Sequence, residues 1–152
     1  MKNETLLNIA NEFGNPVYVY DAHKIEAQYK RLSSAFNKVK NVKINYAVKA
    51  LSNISILKFM NKLGAGLDTV SIQEVKLGIV AGFKPEDIIY TPNGVSLHEI
   101  EEVAKLGAQI NIDNLVILEQ FGNAHPDVPV CIRINPHVMA GGNTNISVGH
   151  ID

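Results

Sequence analysis

A lysine and an aspartate that could take part in one reaction stand near the ends of neighbouring predicted strands. Lys49 closes the run Asn45-Tyr46-Ala47-Val48-Lys49-Ala50, and Asp68 lies in the next predicted strand. By strand alternation both side chains face the same side of the sheet. A lysine held out of bulk water favours its neutral amine, which is the nucleophilic form, and Asp68 could hold the ammonium or take its proton. The pair indicates covalent or acid–base chemistry, and the structural alternative for Lys49 is a solvated lysine just past a strand.

Further polar side chains stand at or just beyond the ends of the later predicted strands. Because the carboxyl ends of parallel strands meet at one rim, these side chains are candidates for the same site. The set consists of Asn93, Asp113, Arg133 and Asn135, with His137 as a further candidate just past the last strand. The charge of Arg133 falls inside an apolar strand, so we expect it to be paired.

Glu74 has two competing interpretations. Ser71-Ile72-Gln73-Glu74 has the S-x-x-E spacing of a capping box, in which the glutamate folds back onto the backbone at the start of a helix. Spacing alone favours this cap over a role in a site. Ser96-Leu97-His98-Glu99 has the same spacing and predicts a second cap. No metal site is predicted, because the histidines lack the spacing of metal ligands.

The elements that must position these residues alternate between strands and helices. Apolar periodicity and the Gly and Pro positions set their bounds, and Asp21 is the predicted N-cap of the second helix. The predicted helices span 5–12, 22–38, 54–63, 72–81, 97–106 and 114–123. The predicted strands span 17–20, 42–48, 67–70, 88–91, 109–112 and 130–135, and residues 136–152 are predicted to be a loop.

Strand–helix units joined by short connections predict a parallel α/β sheet covered by helices. No G-x-G-x-x-G string opens a helix and no G-x-x-x-x-G-K-[ST] string occurs. The sequence therefore gives no support for a dinucleotide-binding or P-loop nucleotide-binding protein. The strand faces favour a barrel over an open doubly wound sheet. Ile110 and Ile112 share one face of their strand, whereas Asn111 and Asp113 share the other. We predict an incomplete (β/α) barrel of the TIM type, with about five barrel strands plus an N-terminal strand.

The overall composition excludes several classes of protein. The chain of 152 residues is 46% hydrophobic and 19% charged, with a formal net charge of −1 and one cysteine. It is too apolar for a disordered chain and too poor in cysteine for a disulfide scaffold. It has no cluster of basic residues that would bind nucleic acid, and no apolar run of about 20 residues that would form a membrane helix. Its first residues lack the hydrophobic core of a signal peptide. We therefore expect a soluble, cytoplasmic protein.

The strings that carry the candidate residues resemble a known family. Asp68 and Glu74 follow Lys49 by 19 and 25 positions, a spacing shared with the alanine-racemase-like, pyridoxal-phosphate-dependent barrel decarboxylases. The matching strings are Gly14-Asn15-Pro16-Val17-Tyr18-Val19-Tyr20-Asp21, Tyr46-Ala47-Val48-Lys49-Ala50, Gly66-Leu67-Asp68-Thr69-Val70-Ser71 and Arg133-Ile134-Asn135-Pro136. Together they are specific, and the resemblance covers essentially the whole chain.

The resemblance implies a cofactor and gives the candidate residues roles. Lys49 would be the catalytic residue that forms a Schiff base with pyridoxal 5'-phosphate, and Asp68, Glu74 and Arg133 would line the cofactor beside it. The cofactor ring would hold the electrons left behind when the substrate's carboxylate leaves as CO2. Residues 1–20 would form a helix and strand that pack with a C-terminal β domain in the full enzyme. Residues 21–152 would form the N-terminal part of the pyridoxal-phosphate-binding barrel.

The tail of the chain bears on the substrate. Ile134-Asn135-Pro136-His137-Val138 and Ile146-Ser147-Val148-Gly149-His150 most resemble the branch of the family that converts meso-diaminopimelate to L-lysine and CO2 in lysine biosynthesis. Ornithine, arginine and a carboxylated polyamine are alternative substrates, because the Lys49, Asp68 and Glu74 pattern is shared with enzymes for those substrates. A non-catalytic barrel that binds pyridoxal phosphate and a plain α/β interaction module are alternatives from other classes.

The resemblance also predicts a piece of a larger enzyme. A complete barrel of this type needs about 250 residues, so we expect the N-terminal portion of a homodimeric enzyme that is inactive by itself. The last predicted strand has no following partner, and an unpaired strand edge invites pairing with another chain. We therefore expect the chain to associate through that edge.

Overall fold

The computed structural model of the chain describes residues 1–135, which form six α-helices and five β-strands. The helices are α1 (Asn3–Phe13), α2 (Ala22–Ala35), α3 (Ile54–Lys62), α4 (Ile72–Val80), α5 (Leu97–Leu106) and α6 (Leu115–Ala124). The strands are β1 (Asn45–Ala47), β2 (Gly66–Thr69), β3 (Ile88–Tyr90), β4 (Gln109–Ile112) and β5 (Val130–Ile132). Short 3₁₀ turns span Val48–Ala50 and Pro85–Asp87. No helix in this part of the chain has the length and apolar character to cross a membrane.

The chain divides into two compact units, Met1–Val42 and the part that begins at Lys43. The first unit holds α1 and α2, and the predicted cap of α2 is confirmed because Asp21 Oδ1 accepts the Lys24 N–H at 3.2 Å. The strand predicted at 17–20 is wrong, since these residues form neither helix nor strand. Their aromatic and β-branched side chains favour a strand, but a strand also needs a partner for its backbone. The boundary predicted between residues 20 and 21 stays a prediction.

The second unit is built on one parallel sheet with the order β1-β2-β3-β4-β5. Every pair of neighbouring strands is parallel, and neighbours in the sheet are also neighbours along the chain. A doubly wound sheet reverses its strand order at a switch point, and the five strands of residues 43–135 contain no such reversal. The order is that of a (β/α) barrel wall, as predicted.

The sheet buries one face and leaves the other partly open. The apolar face, covered by α4–α6, includes Leu67, Ile88, Tyr90, Ile110 and Ile112, which are at most 2% exposed. On the opposite face Asp68 and Asn111 are half-buried and Gln109 is exposed. This confirms the predicted division into an apolar face against the helices and a polar face on the barrel interior. The division fixes which side chains are available at the site.

Helix α4 lies close against the sheet at Gly78. A Cβ atom at this position would come within 2.6 Å of Leu67 Cδ1 and 3.1 Å of Ile88 Cδ1, both on the buried face. Such distances are shorter than van der Waals contact, so only glycine fits without movement of its neighbours. The second half of α4 is therefore held against the sheet near the beginnings of β2 and β3.

Strands β1 and β5 are shorter than predicted. The strand predicted at 42–48 spans only Asn45–Ala47, and the 3₁₀ turn Val48–Ala50 ends it. The strand predicted at 130–135 ends at Ile132, which is opposite the last residue of β4, and the Arg133 N–H donates to the Ile112 carbonyl at 2.8 Å. A ladder cannot extend beyond the strand that it pairs with. The loop predicted at 136–152 lies outside the described residues.

Candidate functional site

Lys49 lies in the 3₁₀ turn that follows β1, at the carboxyl end of the sheet. Val48 anchors the turn in the core and is fully buried, whereas Lys49 is exposed. The Tyr46 hydroxyl donates to the Leu51 carbonyl at 3.1 Å and closes the turn over the strand. Because the turn ends the strand at Ala47, strand alternation does not extend to Lys49, and that basis for predicting its direction is wrong. The residue is placed by the turn.

The lysine amine is accessible and has no acidic partner in residues 1–135. No carboxylate oxygen of this part of the chain lies within 4.0 Å of Lys49 Nζ. The predicted ion pair with Asp68 is therefore not formed. Asp68 is half-buried on the polar face of β2, in register with Ala47 of β1 and Ile89 of β3. The lysine and the aspartate share one end of the sheet without forming an ion pair.

The first turn of α4 forms the serine half of the predicted cap, and its glutamate accepts the N–H one residue before the N-cap Ser71. Ser71 Oγ accepts the Glu74 N–H at 3.3 Å, and Glu74 Oε2 accepts the Val70 N–H at 2.8 Å. The Glu74 carboxylate therefore binds the backbone of the β2–α4 connection, which is the capping alternative left open by the sequence. Its role as a cofactor ligand stays a prediction.

The second predicted cap forms only in half, and its glutamate reaches another helix. Ser96 Oγ accepts the Glu99 N–H at 3.3 Å. Glu99 Oε1, however, accepts the Tyr90 hydroxyl at 2.7 Å and the Ile72 N–H, at the start of α4, at 3.1 Å. Sequence reasoning missed this contact, since 27 positions separate Glu99 from Ile72. The one local signal was Tyr90, whose hydroxyl needs a partner in an otherwise apolar strand.

Two carboxylates therefore occupy the amino end of α4. The free N–H groups and the helix dipole at such an end attract anions, and phosphate is a common ligand there. Glu74 and Glu99 already accept N–H groups at this end and place negative charge beside it. A phosphate group would meet repulsion at this position, so the first turn of α4 is not a phosphate site.

Two of the predicted rim residues lie together beside a separate cavity. Asn93 and Asp113, both exposed, line a cavity of about 270 Å³ above the ends of β3 and β4. The rest of its lining is Pro92, Gly94, Val95, Ile100, Ile112, Asn114 and Ile117. Neither Lys49 nor Asp68 belongs to this lining. Asn93 and Asp113 therefore form a group that is separate from Lys49 and Asp68.

A hydrogen bond between two side chains on the polar face of the sheet was missed by sequence reasoning. Asn111 Nδ2 donates to Thr91 Oγ1 at 3.0 Å, and both side chains are partly buried. The Thr91 N–H donates to the Thr69 carbonyl at 2.7 Å and so extends the ladder beyond β3. Strand alternation was the available signal, because Thr91 and Asn111 share the face that carries Asp68.

The last members of the predicted set follow β5. Arg133 and Asn135 are exposed, and His137 lies outside the described residues. No carboxylate of residues 1–135 lies within 4.0 Å of the Arg133 guanidinium, so the predicted pairing is not found in that part of the chain. Its role at the cofactor stays a prediction.

The donor set suits an aldehyde cofactor. An exposed primary amine with no ion pair in the described part of the chain is free to condense with a carbonyl carbon. A half-buried carboxylate stands at the same end of the sheet. Lys49 would hold pyridoxal phosphate covalently, with Asp68 as the nearest predicted acidic neighbour, and the phosphate would be bound away from the first turn of α4.

Comparison with known proteins agrees with this interpretation. Residues 22–152 match the family model described as "Pyridoxal-dependent decarboxylase, pyridoxal binding domain". Diaminopimelate decarboxylase of Methanothermobacter thermautotrophicus is 32% identical over 145 residues, covering 94% of this chain and 34% of that protein. Diaminopimelate decarboxylase of Escherichia coli K12 is 34% identical over 150 residues, covering 96% and 34%. The chain thus spans about a third of the length of these curated relatives.

Solved structures give the same assignment. The structure of Helicobacter pylori diaminopimelate decarboxylase complexed with L-lysine has a TM-score of 0.79 and 32% identity, covering 92% of this chain and 38% of that one. Vibrio vulnificus lysine/ornithine decarboxylase complexed with putrescine has a TM-score of 0.77 and 26% identity, covering 86% and 36%. The predicted partial α/β barrel is thereby confirmed. The chain belongs to the pyridoxal-dependent decarboxylase family and carries its pyridoxal-binding domain.

Proposed function

We propose that this chain is the cofactor-binding part of an enzyme that converts meso-diaminopimelate to L-lysine and CO2. The relatives reported above are named diaminopimelate decarboxylase and are 32% and 34% identical to nearly the whole chain. The observation that carries the proposal is the exposed Lys49 amine, without a carboxylate of residues 1–135 within 4.0 Å, at the carboxyl end of the sheet. Bound pyridoxal phosphate supplies the electron sink for decarboxylation.

Each residue of the site has a stated task in this proposal. Lys49 would hold the cofactor through its exposed amine. Asp68 holds a fixed negative charge at the same end of the sheet and orients a positively charged group there. Thr91 and Asn111 fix each other on the polar face and keep it rigid below the reacting groups. Arg133 provides a cation toward the cofactor or the substrate's carboxylate.

The rest of the proposal concerns the whole protein. We place it in lysine biosynthesis and in the cytoplasm, as a homodimer. Ornithine, arginine and a carboxylated polyamine are the competing substrates, supported by the likeness to lysine/ornithine decarboxylase at 26% identity. The higher identity to the diaminopimelate enzymes favours meso-diaminopimelate.

The test is CO2 release by the full-length protein loaded with pyridoxal phosphate. The four substrates are meso-diaminopimelate, ornithine, arginine and a carboxylated polyamine, each assayed with wild-type protein and with Lys49→Ala. We expect meso-diaminopimelate to have the highest kcat/KM and Lys49→Ala to abolish release. A higher kcat/KM for one of the other three amino acids would make that amino acid the substrate instead. Binding of pyridoxal phosphate without CO2 release from any of the four would indicate a non-catalytic protein that binds the cofactor.

The chain of 152 residues is expected to release no CO2 from meso-diaminopimelate on its own, because it spans about a third of its relatives. The assay is the same one, run on the purified chain with added cofactor. Turnover that is lost in Lys49→Ala would contradict this expectation.

A further inference from the structure

One oxygen atom of Glu99 joins three elements of the fold. Glu99 is the third residue of α5, and its Oε1 accepts hydrogen bonds from the Tyr90 hydroxyl in β3 and from the Ile72 N–H in α4. The distances are 2.7 and 3.1 Å, and both groups are partly buried. The side chain therefore ties the start of α4 to the neighbouring strand and helix.

This use of Glu99 departs from the capping box in which it stands. A glutamate three residues after the N-cap ordinarily accepts the N–H of its own N-cap residue. Here the carboxylate instead caps the first residue of a different helix, where the dipole of α4 favours negative charge. A glutamate that served only to cap α5 would accept the Ser96 N–H. The Glu99 carboxylate instead accepts the Ile72 N–H, which indicates a role at α4.

Tyr90 holds the carboxylate in that direction. Its ring is fully buried in the sheet face, and its hydroxyl is aimed at Glu99. Burial, and then the neighbouring Glu99 charge, raise the pKa of Tyr90 well above its usual range, so the hydroxyl stays protonated and keeps donating. The donor cannot swing away, because the strand backbone and the packed ring fix it.

The residues that Glu99 restrains lie beside the candidate cofactor site. Ile72 is the first residue of α4 and directly follows the two-residue β2–α4 connection, Val70 and Ser71. Two of the predicted cofactor-lining residues flank this connection, Asp68 in β2 and Glu74 in α4. The Glu74 carboxylate accepts the N–H of Val70, which is in this connection. Glu74 thus fixes the connection from α4, and Glu99 fixes it from the neighbouring helix.

We propose that Glu99 is a positioning residue that holds the β2–α4 connection, and with it Asp68 and Glu74, in place for pyridoxal phosphate. The inference rests on the proposed function. Glu99 touches neither the cofactor nor the substrate in this scheme, and it acts through the Ile72 N–H. A glutamine at this position keeps an acceptor oxygen, so it preserves the contact without the charge.

The experiment uses the full-length protein with Glu99→Ala, Glu99→Gln and Glu101→Ala. Glu101 is the matched control, since it lies on the same helix and its carboxylate is 3.0 Å from a side chain of another element, His125. The readouts are the Kd for pyridoxal phosphate, covalent attachment at Lys49 after borohydride reduction, and hydrogen exchange at the Ile72 amide.

We expect Glu99→Ala to weaken cofactor binding by about tenfold or more, the scale of one hydrogen bond to a charged group, and to speed exchange at Ile72. Glu99→Gln should restore most of the affinity, and Glu101→Ala should resemble wild type in both readouts. Wild-type affinity in Glu99→Ala would overturn the inference, as would an equal loss in Glu101→Ala. Wild-type protein that attaches no cofactor at Lys49 would overturn the proposed function instead.

Discussion

At the scale of single residues, the structure assigns Lys49 a setting that its sequence neighbours do not reveal. The side chain follows a buried valine, stands in solvent and has no acidic partner in residues 1–135. A lysine in that setting is not needed for the stability of the fold. Its replacement should therefore change the chemistry and leave the fold intact.

We predict that Lys49→Ala abolishes covalent attachment of pyridoxal phosphate in the full-length protein and changes its unfolding free energy by less than about 0.5 kcal/mol, as for other surface substitutions. Borohydride reduction followed by peptide mass mapping measures the attachment, and urea unfolding measures the stability. Lys58→Ala, at another exposed lysine, is the control and should leave the label on Lys49. A label that persists on another lysine in Lys49→Ala would contradict the assignment.

Tyr90 gives a pH dependence whose sign follows from its surroundings. Burial and Glu99 raise its pKa in the folded chain above the usual value, which is about 10 in an unfolded chain. Above that pH the unfolded chain loses the tyrosine proton while the folded chain keeps it, so the unfolding free energy falls as pH rises. Tyr90→Phe should make this fall shallower by up to about 1.4 kcal/mol per pH unit.

The measurement is urea unfolding of the chain at several pH values between about 8 and 11. Tyr18→Phe is the matched control, because Tyr18 is 90% exposed and should retain the wild-type slope. Equal slopes in wild type and Tyr90→Phe would show that the tyrosine titrates alike in the folded and unfolded chains.

At the scale of helices and strands, two glycines within helices test how the elements pack. Gly78 faces the side chains of Leu67 and Ile88 at distances too short for a methyl group, whereas no atom lies within 4 Å of a Cβ built at Gly122. Gly78→Ala should destabilise the chain by about 1–3 kcal/mol through overpacking. Gly122→Ala should stabilise it by about 0.5–1 kcal/mol through helix propensity. Urea unfolding of both variants measures the contrast, and destabilisation by Gly122→Ala would contradict it.

The sequence predicts the order and kind of these elements well, because their signals are local. Periodicity identifies every helix, and the S-x-x-E spacing identifies the caps at Ser71 and Ser96. The strand at 17–20 and the extra residues of β5 are errors of one kind. Whether a residue is in a strand depends on its partner, which local propensity does not contain.

The candidate site is predicted less completely than the fold. The position of Lys49 at the carboxyl end of the sheet follows from the alternation of strands and helices. Its separation from Asp68 does not, because a turn replaces the end of β1. The Glu99 contact with α4 was also out of reach, since it joins residues 27 positions apart through a backbone N–H that has no sequence signature.

At the scale of the whole molecule, the apolar surface near β5 predicts association of the 152-residue chain. Ile132 and Ile134 are 60% and 79% exposed. No strand of residues 1–135 pairs with the outer edge of β5, and such edges accept strands from other chains.

We therefore expect dimers or larger species at micromolar concentration, and Ile132→Lys should shift them toward monomer because a charge on that face opposes pairing. Light scattering after size-exclusion chromatography measures the mass. The control is Val80→Lys, which changes an exposed apolar side chain on α4. It should leave the mass distribution unchanged. A purely monomeric wild-type chain would refute the expectation.

The agreement between the order of strands in the sheet and their order in the chain has a consequence for biosynthesis. Partner residues of adjacent strands lie 20 or 21 positions apart throughout. A ribosome that releases the chain from its N-terminus delivers each strand after the one it pairs with. The five strands of residues 43–135 can therefore pair one after another, because each one pairs with the strand released just before it.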